Sequence, residues 1–195
     1  MKCKQFFSVF FILLMVLSVP VFSLAEAEKP DYTKVDVSMM DDTVYDGTWQ
    51  TIGNIYRMYI PDGWAEKELS DPEKATGVLS KLCDPSGKFL VETTYLSPAA
   101  LEAAGLTDLG TIRATLENDK EIVDTTLFLI NGIPCVNYYL PSADVIVTGF
   151  FADSGHFIQI SMAPGSDEDF IPTAMNMFYS LSPYTEEENA VDAES

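Results

Sequence analysis

Between residues 48 and 162 the chain alternates short runs rich in β-branched and aromatic residues with tight-turn signals. Thr48 to Ile52 is followed by Gly53-Asn54 and a returning run from Ile55 to Ile60, which Pro61-Asp62-Gly63 breaks. Gly77 to Asp84 turns at Pro85-Ser86-Gly87 into Lys88 to Leu96. Glu121 to Ile130 turns at Asn131-Gly132 into Ile133 to Leu140, and Asp144 to Ala152 turns at Asp153-Ser154-Gly155 into His156 to Met162. Gly, Asn and Asp tolerate the backbone such turns need, and runs this close together return on one another as hairpins. A chain written this way must build an antiparallel sheet.

Helices are predicted at a few places. Lys67 to Lys74, containing Asp71-Pro72, allows one helical turn. Ser97-Pro98 offers an N-cap and a proline at the first helical position, Ala99 to Ala104 favour helix, and Gly105 ends it. Asp108 to Asn118 carries Leu109, Ile112 and Leu116 at helical spacing. The last helix is expected to be capped by Ser166 or Asp167, with Asp167, Glu168 and Asp169 at the positive end of its dipole. Phe170, Ile171, Ala174, Met177, Phe178 and Leu181 then form one apolar stripe, which must cover a sheet. The order of elements gives an α+β fold, an antiparallel β-sheet with helices packed on its faces.

The ends read differently. Lys2 and Lys4 precede an apolar run from Phe6 to Val19, Pro20 ends it, and Ser23-Leu24-Ala25 offers a cleavage site. That run is shorter than the roughly 20 residues needed to span a bilayer, so residues 1–25 read as a cleaved secretory signal peptide rather than an anchor. Removing them leaves nine basic residues against thirty acidic ones, a charge of −21. Such a field repels nucleic-acid phosphates and anionic lipid surfaces, and first of all keeps the protein in solution. Residues 26–46 read as a flexible acidic leader and 185–195 as a disordered acidic tail, since neither holds enough apolar surface to pack. A piece spanning 47–185 is therefore expected to fold without them. The folded domain is placed at 47–184, and the mature protein is expected outside the cytosol, without stable membrane insertion. Its two cysteines, Cys83 and Cys135, permit one disulfide or two buried thiols.

Four features in this order resemble the PsbP-like fold: a strand ending Ile60-Pro61-Asp62-Gly63-Trp64, the hairpin Asn131-Gly132-Ile133-Pro134, the hairpin Asp153-Ser154-Gly155-His156, and a closing helix ending Tyr179-Ser180-Leu181. The resemblance covers residues 48–183. That superfamily includes the photosystem II extrinsic subunit, the Ran-binding Mog family and an exported bacterial branch of unassigned function. The resemblance implies an α/β/α sandwich and members that bind partners or small ligands without catalysis. It transfers no site residues.

The catalytic inventory is thin. His156 is the only histidine, which excludes a multi-histidine metal site. His156 with Ser154 and Asp153 names the residue types of acyl transfer, but neighbours in one turn are not expected to assemble a triad, and no Gly-x-Ser-x-Gly elbow is present. Cys83 or Cys135 would need His156 as base, and Cys135 sits in an apolar run. Asp36, Asp41, Asp42 and Asp46-Gly47 lack the spacing of a calcium loop and read as a solvated leader. Trp49, Trp64, Tyr138 and Tyr139 either line a groove or fill the core. No catalytic, cofactor-binding or metal residues are assigned, and no cofactor. The expectation is a non-catalytic exported binding or accessory protein of the cell envelope or extracellular space, with an unknown protein or small-molecule ligand and no nucleic acid. The alternative is an extracytoplasmic hydrolase using paired carboxylates.

Overall fold

The structure, a computed structural model, describes residues 31–184; the expected signal peptide, 1–25, and the expected acidic tail, 185–195, lie outside the described residues. The hairpins form where the turn residues stand. Strands β2 (Gly47–Ile52) and β3 (Tyr56–Pro61) are joined through Gly53 and Asn54, both at positive φ. Strands β7 (Val123–Ile130) and β8 (Ile133–Leu140) are joined through Asn131 and Gly132, also at positive φ, the backbone of a primed turn that matches strand twist. Strands β5 (Val78–Cys83) and β6 (Leu90–Leu96) pair antiparallel, as do β9 (Val145–Phe151) and β10 (Phe157–Ala163).

Three short strands complete two sheets: β1 (Thr33–Val35), β4 (Ala65–Glu66) and β11 (Ser182–Pro183). The larger sheet runs β1-β7-β8-β9-β10-β6-β5-β4, antiparallel except where β1 lies parallel to β7. The smaller runs β11-β3-β2 and is antiparallel throughout. Among the described residues four α-helices accompany them: α1 (Asp71–Ala75), α2 (Pro98–Ala103), α3 (Leu109–Glu117) and α4 (Ile171–Ser180). The fold is α+β with mostly antiparallel strands. None of the described helices is long and apolar enough to cross a membrane.

Side chains alternate across a strand, and here both sides of the larger sheet are used. Cys135, Phe150, Ile158 and Ile160 join a core with Tyr56, Met58 and Ile60 of β3 and with Ala174, Met177 and Phe178 of α4. Val136, Tyr138, Val147 and Phe157 join a second core with Leu101 of α2 and Leu109, Ile112 and Leu116 of α3. Ser97 and Asp108 cap these two helices through their side chains, accepting from the N–H groups of Ala100 and Thr111.

The structure corrects the leader over residues 33–46. Val35 is buried in the first core, and β1 pairs with Phe128 to Ile130. The Val37 N–H donates to Asn131 Oδ1 at 2.8 Å, and Asn131 Nδ2 donates to the carbonyls of Tyr179 and Leu181, so one turn residue ties the leader to the end of α4. Asp41 and Asn176 exchange two hydrogen bonds, Asp41 N–H to Asn176 Oδ1 at 3.0 Å and Asn176 Nδ2 to the Asp41 carbonyl at 2.6 Å. Tyr45 stacks on Tyr59 and donates to its carbonyl. These contacts are mostly polar and backbone-borne, so they leave no hydrophobic period in the sequence.

The start of the last helix is corrected too. It begins at Ile171 with Phe170 in the capping position and no side-chain cap. Asp167 instead closes the preceding turn, accepting from Asp169 N–H at 3.0 Å and, through its carbonyl, from Phe170 and Ile171. Phe170, Ala174, Met177, Phe178 and Leu181 are buried as the stripe requires, whereas Ile171 is 39% exposed. One residue is about 100° of helical turn, enough to carry Ile171 off the buried face.

Candidate functional site

The residues singled out from the sequence are scattered. Ser154 Oγ does lie 3.0 Å from His156 Nδ1, closer than the turn argument allows, and Tyr95 stands edge-on to the imidazole at 5.3 Å. Among the described residues no carboxylate bonds the other ring nitrogen, and the pair stays within one exposed turn, so the orienting third member of a triad is not brought to it. Cys83 and Cys135 are both buried, and no disulfide joins them. They sit on β5 and β8 with β6, β10 and β9 between, four spacings of about 4.8 Å, far beyond the roughly 7 Å Cα limit of a disulfide. Burial pushes the Cys135 thiol well above its usual range, the opposite of a nucleophile's need.

The leader aspartates are occupied locally. Asp36 accepts from Ser38, and Asp41 from Thr43 N–H at 2.9 Å. Among the described residues no group of three or more His, Cys, Asp or Glu is placed to hold a metal ion. Of the aromatic residues, Trp64 stacks on Phe170, Tyr138 is buried, and Tyr139 donates to Asp144 at 2.9 Å. Only Trp49 faces solvent substantially, 37% exposed.

Trp49 belongs to an arrangement the sequence did not show. In register it faces Tyr59 across β2 and β3, and their rings meet edge-on at 5.7 Å. The Arg57 guanidinium lies over the indole at 4.9 Å, and Tyr45 stacks behind Tyr59. β2 is the end strand of its sheet, and Thr48 and Trp49 are its most exposed residues. An end strand offers backbone N–H and C=O groups to another chain, and natural sheets guard such edges with short length, charge or proline. The other three edges are guarded in this way. β1 has three residues and holds Lys34, β4 has two and holds Glu66, and β11 has two and ends in Pro183. β2 has six residues, Gly47-Thr48-Trp49-Gln50-Thr51-Ile52, with no charge and no proline.

A carboxylate pair also exists. Lys81 Nζ contacts Glu73 Oε1 and lies 3.0 Å from Glu92 Oε2. The hydrogen bond from Lys81, with those from Ser70, holds the Glu73 carboxyl down at about 2. Burial raises the Glu92 carboxyl above its usual range against the pull of Lys81. Burial lowers the Lys81 ammonium, and the two carboxylates outweigh it. Split acidities are what acid–base chemistry requires. Here, though, the ammonium stands between the two carboxylates where a scissile bond would need to lie, and Glu92 is 3% exposed. The triad reads as an ion network that carries charge from the surface to a buried position.

Its pH signature follows from the signs. Glu73 is depressed in the folded state, so its contribution is complete above about 4.5 and is lost as pH falls toward about 2. Glu92 is raised, so it works the other way, favouring the folded state at low pH and losing that advantage as pH rises through its folded value. Glu73→Gln is expected to flatten the acid limb of a urea-stability profile between pH 4.5 and 2. An unchanged limb would assign the acid sensitivity to other carboxylates.

No family model matches this chain, and no curated protein matches it.

Proposed function

We propose that this chain is an exported, non-catalytic binding or accessory protein that takes a partner by strand addition along β2. In this reading the fold is the PsbP-like α/β/α sandwich that the sequence resembles, and residues 1–25 direct export. The carrying observation is the one long, uncharged, unguarded edge among four, with Trp49, Tyr59 and Arg57 beside it. Backbone groups would supply affinity and the aromatic face would supply selectivity. Trp, Tyr and Arg are the residues on which interface energy concentrates. The partner is an extended protein segment, neutral or cationic, because thirty acidic residues would repel an anionic one. The hydrolase reading ranks second, since its best carboxylate pair is bridged by Lys81.

Trp49→Lys tests the proposal by placing a guarding charge on the edge. Pull-downs from the native culture medium with wild-type and variant baits are expected to share all proteins but one, retained by wild type and lost by the variant. The variant is expected to melt about 2–8 °C lower, because it breaks the Tyr59 and Arg57 contacts of the indole, and to remain folded at the temperature of the pull-down. A partner captured equally by both baits would overturn the edge as the docking site.

A further inference from the structure

The face of β6 and β10 that turns toward α2 and α3 carries four polar side chains in a square. Thr94 is directly opposite Gln159, and Glu92 is directly opposite Ser161. All four are buried, at 0%, 0%, 3% and 4% exposure. Gln159 donates through Nε2 to the Tyr138 hydroxyl at 2.9 Å, and its buried carbonyl oxygen has no partner among the described residues. Among the described residues Gln159 Oε1, Thr94 Oγ1 and Ser161 Oγ have no hydrogen-bond partner, and Glu92 Oε2 has only the charge of Lys81. Four such atoms on one face call for a common cause, because buried polar groups are nearly always satisfied by protein or by ordered water.

The chemistry of the four atoms is complementary to one molecule. Gln159 Oε1 and the ionised Glu92 only accept, and the Thr94 and Ser161 hydroxyls can donate. A guest with two donors and two acceptors satisfies all four. Opposite positions on an antiparallel pair stand about 4.5–5.5 Å apart at Cβ, roughly twice the ~2.8 Å of an O–H···O bond, so a single oxygen between the strands reaches both. The surroundings limit its size. Gly149, opposite Gln159 on β9, has no side chain because the Phe157 ring occupies that space; a Cβ there would meet Phe157 Cζ at 2.3 Å. Phe157 itself is fully buried in the core formed with Leu96 and Leu101.

We infer that the β6–β10 face holds an internal water molecule, which donates to Gln159 Oε1 and Glu92 Oε2 and accepts from the hydroxyls of Thr94 and Ser161. The water is part of the fold, as buried waters with three or four partners are. It solvates the inner carboxylate of the Lys81 network, and the Glu73–Lys81 end of that network is the polar route toward the surface.

Oxygen-17 relaxation dispersion of water in solutions of the purified mature protein counts such long-lived molecules. Wild type is expected to show a dispersion whose amplitude falls by about one long-lived molecule in the Thr94→Val, Ser161→Ala double variant, while Thr94→Ser retains it. Each single change, Thr94→Val or Ser161→Ala, is expected to lower the melting temperature by about 2–4 °C, because it removes one partner and leaves the rest unsatisfied. A double variant with unchanged dispersion overturns the inference. So do single variants that melt at or above wild type, the result for hydroxyls with no guest, and a small organic molecule retained in the native mass spectrum.

Discussion

Phe170→Ala is expected to remove ~3–5 kcal/mol, the cost of deleting a phenyl ring from a packed core, with up to ~1.5 kcal/mol more for each aromatic pair it breaks. Phe170 is 1% exposed and lies between two rings, parallel to Phe89 at 4.6 Å and to Trp64 at 6.2 Å. It thereby fixes where the chain enters α4 relative to β6 and the end of β3. A domain of this size has about 5–15 kcal/mol of stability in total, so the loss would be a large fraction of it. Glu168→Ala, two residues away and exposed, should stay within about 0.5 kcal/mol because it touches no buried group. Urea melts of both variants decide the matter. If Phe170→Ala unfolds within ~1 kcal/mol of wild type, the three-ring stack is not what holds the helix start.

Deleting the chain up to Asp46 is the second large effect, and it reverses what composition implies. A protein beginning at Gly47 loses the buried Val35, worth ~1.5–3 kcal/mol, and leaves Asn176, which is 4% exposed, without the Asp41 backbone. Deletion also opens Asn176 to water, so its two bonds to Asp41 cost a net ~0.5–1.5 kcal/mol each; the expected total is ~2.5–6 kcal/mol and a melting temperature lower by about 5 °C or more. A truncated protein that melts within about 3 °C of one beginning at Glu26 would return residues 33–46 to the role of a passive leader.

These two results mark the limits of reading this chain without its structure. The hairpins were legible because Gly53-Asn54 and Asn131-Gly132 adopt the positive φ that only a few residues tolerate. The stripe of α4 was legible because Ala174, Met177 and Phe178 keep helical spacing. β1 was not, since three residues with one apolar side chain make no period, and its partners lie almost a hundred positions away. The inner polar square was hidden for a different reason. Gln159 and Ser161 alternate with Ile158, Ile160 and Met162, the pattern of a strand with one wet face, yet the second core buries that face. The β2 edge was invisible because guarding is a comparison among edges, and which strands are edges is set by topology. Lys34, Glu66 and Pro183 acquire meaning only once the sheet order is known.

Site-specific photocrosslinking in the native culture tests the central claim most directly. A photoreactive phenylalanine analogue at position 49 reports what touches the β2 edge, and the same analogue at Val123, 40% exposed on β7, serves as the control surface. Position 49 is expected to give one discrete protein adduct, reduced when Thr51, whose N–H faces away from β3, is changed to proline, and position 123 none. No adduct from position 49, or the same adducts from both positions, would contradict binding by strand addition.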